Sequence, residues 1–290
     1  MVCAYEVTSG WLGVGRIRTT RERIMNFLKT SLAAAAVLAS MAAQATPVVS
    51  VNTNATALAT AIAGSGITIS NATLTTDTTG GNGTFSNGAA TIGIDSGVVL
   101  TTGVLSCIPG PNSTSSCSGA GGTSELGFDF TSTTGQVFFQ YVFGSEEYNE
   151  FVGSGFNDTF QLLLNGVNIA LVPGGGGVVS INNVNCGTNS AFYRNNSANA
   201  GAASCANQPN LNLNIQYDGL TVVLTASGTV GTGVNNFKFR IADVGDQSWD
   251  SGVFIKAGSF SGTNPTPEPG SLALGGAALA GLAVARRRKA

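Results

Sequence analysis

The sequence predicts an all-β protein: an antiparallel β-sandwich of jelly-roll type with one short helix near its start. Three observations carry this. Short runs alternate with a period of two, most clearly where Val137, Phe139, Tyr141 and Phe143 share one face of a strand and Phe138, Gln140 and Val142 the other. Glycine and asparagine break these runs at short intervals, as expected of a sandwich with many turns. Asn165-Gly166, set between Phe160–Leu164 and Val167–Val172, is the strongest short hairpin signal, because a type I′ turn needs positive φ twice.

The elements follow in order. Thr56–Ala63 is a short helix, with Leu58 and Ile62 four apart, Asn54 or Thr53 as its cap and Gly64 as its stop. The 137–143 run is apolar on both faces and is therefore expected to be a central strand. Leu211, Leu213, Ile215 and Tyr217 alternate with Asn212, Asn214 and Gln216, which reads as a half-exposed strand. Thr221–Ala226, Phe237–Ala242 and Gly252–Ala257 supply three more.

Outside this body the two ends carry different signals. Met25–Ala45 has one Lys, an apolar core from Leu32 to Met41 and a small-x-small site, Ala43-Gln44-Ala45, before Thr46. That is a secretory signal peptide cleaved between Ala45 and Thr46. Residues 1–24 carry Arg16, Arg18, Arg21 and Arg23 without a fold pattern. They either extend the basic region or lie upstream of a true start at Met25, the second reading being preferred. At the other end, Pro267-Glu268-Pro269 precedes an apolar run from Leu272 to Ala285 and then Arg286-Arg287-Arg288-Lys289. Fourteen residues rise only about 21 Å as a helix, against a hydrocarbon core of roughly 30 Å. The basic cluster stops transfer at the inner face. This combination resembles the PEP-CTERM sorting signal, which implies processing by the membrane protease-transpeptidase exosortase. The resemblance also implies an exported protein, held at the inner membrane transiently and then placed at the cell surface or in an exopolysaccharide or biofilm matrix. The expected organisation is 1–24, signal peptide 25–45, sandwich 46–262, linker with the tripeptide 263–270, and hydrophobic sorting helix with basic tail 271–290.

From Thr46 to Gly262 there are twelve acids against four bases, a balance of −8, although the whole chain carries only −2. An acidic body repels phosphate backbones, so no nucleic-acid partner is expected. Four of the five cysteines fall in this region, as Cys107 with Cys117 and Cys186 with Cys205. An even count in an exported chain favours disulfides. Local pairing is one of three connectivities and is preferred because each intervening loop lacks apolar content to order itself. Closing each loop contributes on the order of 3 kcal/mol. With no histidine in the chain, Ser-His-Asp and Cys-His catalysis are ruled out and a zinc site is disfavoured.

Several blocks of the body form a second resemblance. They are Gly97–Gly103 (GVVLTTG), Phe139–Gly153 (FQYVFGSEEYNEFVG), Phe156–Phe160 (FNDTF), Ile241–Asp246 (IADVGD) and Trp249–Phe254 (WDSGVF). Together they resemble the choice-of-anchor L domain, an extracellular bacterial module found with alternative anchoring signals. The family implies export and a sandwich but no reaction. The segment from Thr188 to Pro209, with its Cys pair, departs from that pattern.

Asp243, Asp246 and Asp250 crowd into eight residues after a strand, with no base among them. Ca²⁺, which takes six to eight oxygens from loops, would relieve their repulsion. Asp158 and one or both of Glu146 and Glu147 are the outside donors expected. Adjacent strand residues face opposite ways, so both Glu serve one ion only if Gly144-Ser145 breaks the strand. The competing reading has these acids capping turns, pairing with Lys238 or Arg240, or facing water. A glycosidase pair would use Glu147 and Asp158 at about 5–9.5 Å. Trp249, between two acids, is the best candidate for a glycan contact, with Tyr148, Phe151 and Tyr193 behind it. The function expected is a non-enzymatic surface or matrix protein, structural or adhesive; the alternatives are a Ca²⁺-dependent carbohydrate-binding module and a polysaccharide-cleaving enzyme.

Overall fold

The computed structural model describes residues 45–112, 121–197, 205 and 207–265. The export segment, the sorting signal with its expected helix, and Cys117 lie outside the described residues. The body is two antiparallel sheets packed face to face. In the larger sheet the spatial order is β1 (Val48–Val51), β3 (Asn82–Ser86), β4 (Gly97–Thr101), β13 (Ser251–Lys256), β6 (Gln136–Ser145), β10 (Gly219–Thr221) and β9 (Tyr193–Asn195). β11 (Leu224–Thr229) also pairs with β6, along its first half, while β10 takes its last residues. The smaller sheet runs β2 (Ile67–Thr76), β5 (Thr123–Ser132), β12 (Asn235–Ala242), β7 (Thr159–Leu164) and β8 (Val167–Asn168).

The central placement of the 137–143 strand has a simple cause. β6 contributes Phe139, Tyr141 and Phe143 to the space between the sheets and Val142 to a second apolar layer behind. Between the sheets, Phe139 meets Phe237 edge-on at 5.2 Å, and Phe237 lies 4.7 Å from Phe239; such aromatic pairs add stability beyond the area they bury. Behind the larger sheet, Phe85, Val99, Val142 and Phe254 are covered by Ile92, Leu105, Ile108, Leu213, Ile215 and Tyr217, from loops and one short 3-10 turn. A sheet buried on both faces needs apolar residues at both parities. The smaller sheet has a wet outer face instead, where Lys238 pairs with Glu125 at 2.9 Å and Asn71 bonds Asp129.

The helix α1 spans Ala55–Ile62, and Asn54 Oδ1 accepts from the Ala57 N–H at 3.0 Å. Gly64 follows for a reason other than positive φ: a Cβ there would stand 2.2 Å from the Gly258 carbonyl oxygen. Asn165 and Gly166 adopt φ of 48° and 84°, and Leu164 pairs with Val167 across the turn.

Three expected strands differ. The hairpin's second arm ends at Asn168 rather than Val172, because Asn168 Oδ1 accepts from the backbone N–H groups of both Leu162 and Ala170 and ends the regular ladder. Thr221–Ala226 is not one strand, since β10 and β11 divide it. Leu211–Tyr217 is not a strand at all, apart from one bridge between Ile215 and Pro109. Asn212 takes φ of 50°, and the Asn196 side chain captures the backbone that a neighbouring strand would have bonded. β1, β2, β3, β4, β5 and β9 carry no strand mark in the period-two pattern.

Cys186 and Cys205 form a disulfide with Cα atoms 5.1 Å apart. Cys107 is also disulfide-bonded. Replacing Cys186 and Cys205 together by Ser should lower unfolding stability by about 3 kcal/mol, since a loop of about 20 residues regains its freedom. Urea unfolding of the oxidised parent and the double variant measures this.

Candidate metal centre

The strands deliver the predicted acids to one end of the sandwich. β6 stops at Ser145, and the Glu147 N–H then bonds Ser145 Oγ at 3.0 Å, turning the chain. Asp158 immediately precedes β7, Asp243 immediately follows β12, and those strands are neighbours with Thr159 opposite Ala242. Asp250 precedes β13, whose Ser251 lies opposite Ser145. The six acids therefore come from four strand ends that antiparallel pairing places together.

They divide into two groups. Glu147, Asp158, Asp243 and Asp246 repel one another. Burial, then Asp158, Asp246, Asp243 and lastly Glu146, lift Glu147 to about 8. Burial, then Asp158 and Asp246, lift Asp243 to about 7. Asp158 is fully buried and sits at about 6, burial outweighing the Ser251 hydroxyl and the Val244 N–H, the latter donating to its Oδ1 at 2.9 Å. One oxygen of Glu147, one of Asp158 and both of Asp243 have no hydrogen-bond partner among the described residues. Leaving buried carboxylate oxygens unmatched is costly. Glu146 and Asp250 form the second group, lining a small cavity with Tyr217, Val104 and Ile108. β6 stays extended through Gly144 and Ser145 rather than breaking there, and the two adjacent Glu side chains enter different surroundings.

The four bases are elsewhere. Lys238 and Arg240 reach Glu125 on the outer face of the smaller sheet. Arg194 donates to the Ile92 carbonyl at 3.0 Å, and Lys256 ends β13 at the far end of that strand from Asp250. Lys238 and Arg240 are therefore not the partners of the acidic group. Among the described residues, no three acidic or cysteine side chains converge closely enough to form a ready metal cage. Asp246 is exposed, its Oδ1 accepting from the Ser248 N–H.

Among the aromatic candidates, Tyr148 and Tyr193 are buried at 0% and 5% exposure and are core residues. Trp249 and Phe151 are partly exposed and meet edge-on at 5.1 Å, and Phe156 joins them 5.4 Å from Phe151. Phe156 was missed because a lone Phe before an Asn-Asp turn carries no local signal. Two glycines were also missed. A Cβ on Gly121 would stand 1.9 Å from Asp243 Oδ2, and one on Gly103 would stand 1.5 Å from Asp250 Oδ2. Only glycine lets those carboxylates lie against the backbone.

Two antiparallel sheets packed face to face and a disulfide define an all-β sandwich with an acid-lined end. Residues 47–261 match the Choice-of-anchor L domain, and the chain belongs to that family. The domain type is one of non-catalytic surface proteins. Residues 265–289 match the PEP-CTERM protein-sorting motif, so this is an exported protein addressed by exosortase to the cell surface. No curated protein and no solved structure matches the chain.

Proposed function

We propose that this is a non-enzymatic adhesive or structural protein of an exopolysaccharide matrix, whose acid-lined end binds Ca²⁺. The export signals bring the chain out through a transient stage at the inner membrane, where exosortase processes it. One observation supports the cation reading above the others: Glu147, Asp158 and Asp243 hold buried oxygens that nothing among the described residues matches, and the bases lie elsewhere. Protonation is one way to relieve such repulsion and a hard divalent cation is the other. Glu147, Asp158, Asp243 and Asp246 are the ligands, with backbone carbonyls and water completing the shell once the exposed Asp246 loop draws in. Binding would hold the loop after β6 against the loop after β12. That rigid end then engages surface glycans or the organism's own exopolysaccharide.

Calorimetric titration of the 46–262 domain with Ca²⁺ should give a saturable heat, lost in Asp158→Asn. A pull-down on the organism's exopolysaccharide should retain the domain with Ca²⁺ and release it with chelator. No heat at millimolar ion removes the cation; retention unaffected by chelator leaves adhesion without it.

A further inference from the structure

We propose that the acid-lined end is the outward surface of the anchored protein, and that it takes a neutral, hydroxyl-rich polysaccharide; this rests on the glycan reading above. Register defines the two ends of the domain. β6 runs from Gln136 to Ser145 and delivers Glu146 and Glu147 at its finish. β13 starts beside that finish, Ser251 opposite Ser145, and runs back until Ile255 lies opposite Tyr141. The chain then continues in the same direction. Ser261 exchanges backbone hydrogen bonds with Phe138 at 2.9 and 3.0 Å, and Thr134 Oγ1 donates to the Gly262 carbonyl at 2.6 Å. Thr263–Pro265 therefore leave the sandwich beside the turn between β5 and β6. A ten-residue strand at about 3.3 Å per residue separates that exit from the acids by about 30 Å. The sorting motif begins at residue 265, so an anchor acting through it grips the domain opposite the acids.

The end so presented carries more than charge. Phe151, Phe156 and Trp249 form a partly exposed aromatic ledge. Gly245 lies flush on it, since a Cβ there would stand 2.8 Å from the Phe156 ring. Trp249 holds φ of 66°, a conformation that a bulky residue keeps only where its surroundings impose it, and such positions gather at binding sites. The ledge comes from the 147–158 and 243–250 segments, which also carry the four repelling carboxylates. Aromatic faces offer an apolar floor to the C–H face of a sugar ring. Charge selects among polymers: four ionised carboxylates exceed one divalent ion by two charges, and one such ion brings the domain only from −8 to −6. Uronate-bearing chains are therefore repelled and neutral ones are not.

The full chain, expressed in an exosortase-bearing host, tests the orientation with an epitope placed either at Gly153–Gly155 or in the Thr133–Gly135 turn. Melting curves of both tagged proteins check the fold. Antibody should label intact cells several-fold more through the first site. Equal or reversed labelling overturns the orientation, and labelling of neither overturns it together with surface export. The partner is tested by affinity electrophoresis of the purified domain in Ca²⁺ through neutral glucan, galactan and mannan, and through alginate. Retardation by a neutral polymer, weakened at least tenfold in Trp249→Ala, is expected. Retardation by alginate alone, or by none, overturns it, and a Ca²⁺-dependent rise in melting temperature without any retardation leaves the cation standing while this inference falls.

Discussion

Saturating Ca²⁺ is expected to raise the melting temperature of the 46–262 domain by about 5–10 °C at pH 8 and by little at pH 5. A ligand at one hundred times its dissociation constant stabilises by about 2.7 kcal/mol. For a domain of this size each kcal/mol moves the midpoint by roughly 2–4 °C. The pH dependence follows from Glu147 at about 8, Asp243 at about 7 and Asp158 at about 6, all raised first by burial. Their unfolded values lie near 4. Between those limits the folded domain binds more protons than the unfolded chain, so metal-free stability falls as pH rises. The contribution is complete below about pH 4 and gone above about pH 8. Protons thus occupy the site at pH 5, and the cation has the most to offset at pH 8. Glu147→Gln with Asp158→Asn should flatten both the pH slope and the Ca²⁺ response. Differential scanning calorimetry at the two pH values, with and without Ca²⁺, decides it; a metal-free domain that gains stability from pH 5 to pH 8 sinks the argument.

Asn196→Ala should cost about 3–5 kcal/mol, although it removes only a small polar side chain. Asn196 is fully buried. Its Nδ2 donates to the carbonyls of Ile215 and Tyr217 at 3.1 and 2.9 Å, and its Oδ1 accepts from the Leu213 N–H at 2.6 Å. The substitution strands three buried backbone groups, each worth about 1–3 kcal/mol and not strictly additive. It also frees the segment that seals Val142 and Phe254 behind the larger sheet. Urea unfolding with the slope held constant gives the value. Asn196→Asp, which keeps the acceptor and loses both donors, should also destabilise. A loss under about 1 kcal/mol for the Ala variant would mean that the Leu213–Tyr217 segment is held by its apolar contacts alone.

That segment also marks the limit of pattern reading. The alternation of Leu211, Leu213, Ile215 and Tyr217 announced burial correctly for the last three, whereas Leu211 is exposed. It misnamed the backbone, because side-chain amides from Asn196 and Asn210 satisfy the groups a ladder would have used. Periodicity reports which residues face the core, and it is silent on who bonds the main chain. At β6, α1 and the Asn165-Gly166 turn the reading succeeded because the deciding physics lies within a few consecutive residues: side-chain alternation, a cap three residues away, positive φ at two positions.

The same division runs through the site. Export, sorting by exosortase, an all-β body and the surplus of acids are written in short contiguous stretches, where local chemistry suffices to recognise them. The gathering of Glu147, Asp158 and Asp243 is not, for it depends on β12 pairing with β7, on β13 pairing with β6, and on the two sheets closing face to face. No local preference encodes the choice of neighbour between strands about 80 and about 110 residues apart; burying the aromatic layer makes that choice. The separation of Glu146 from Glu147, and the 30 Å between the acids and the sorting signal's point of departure, followed only once that layer had closed.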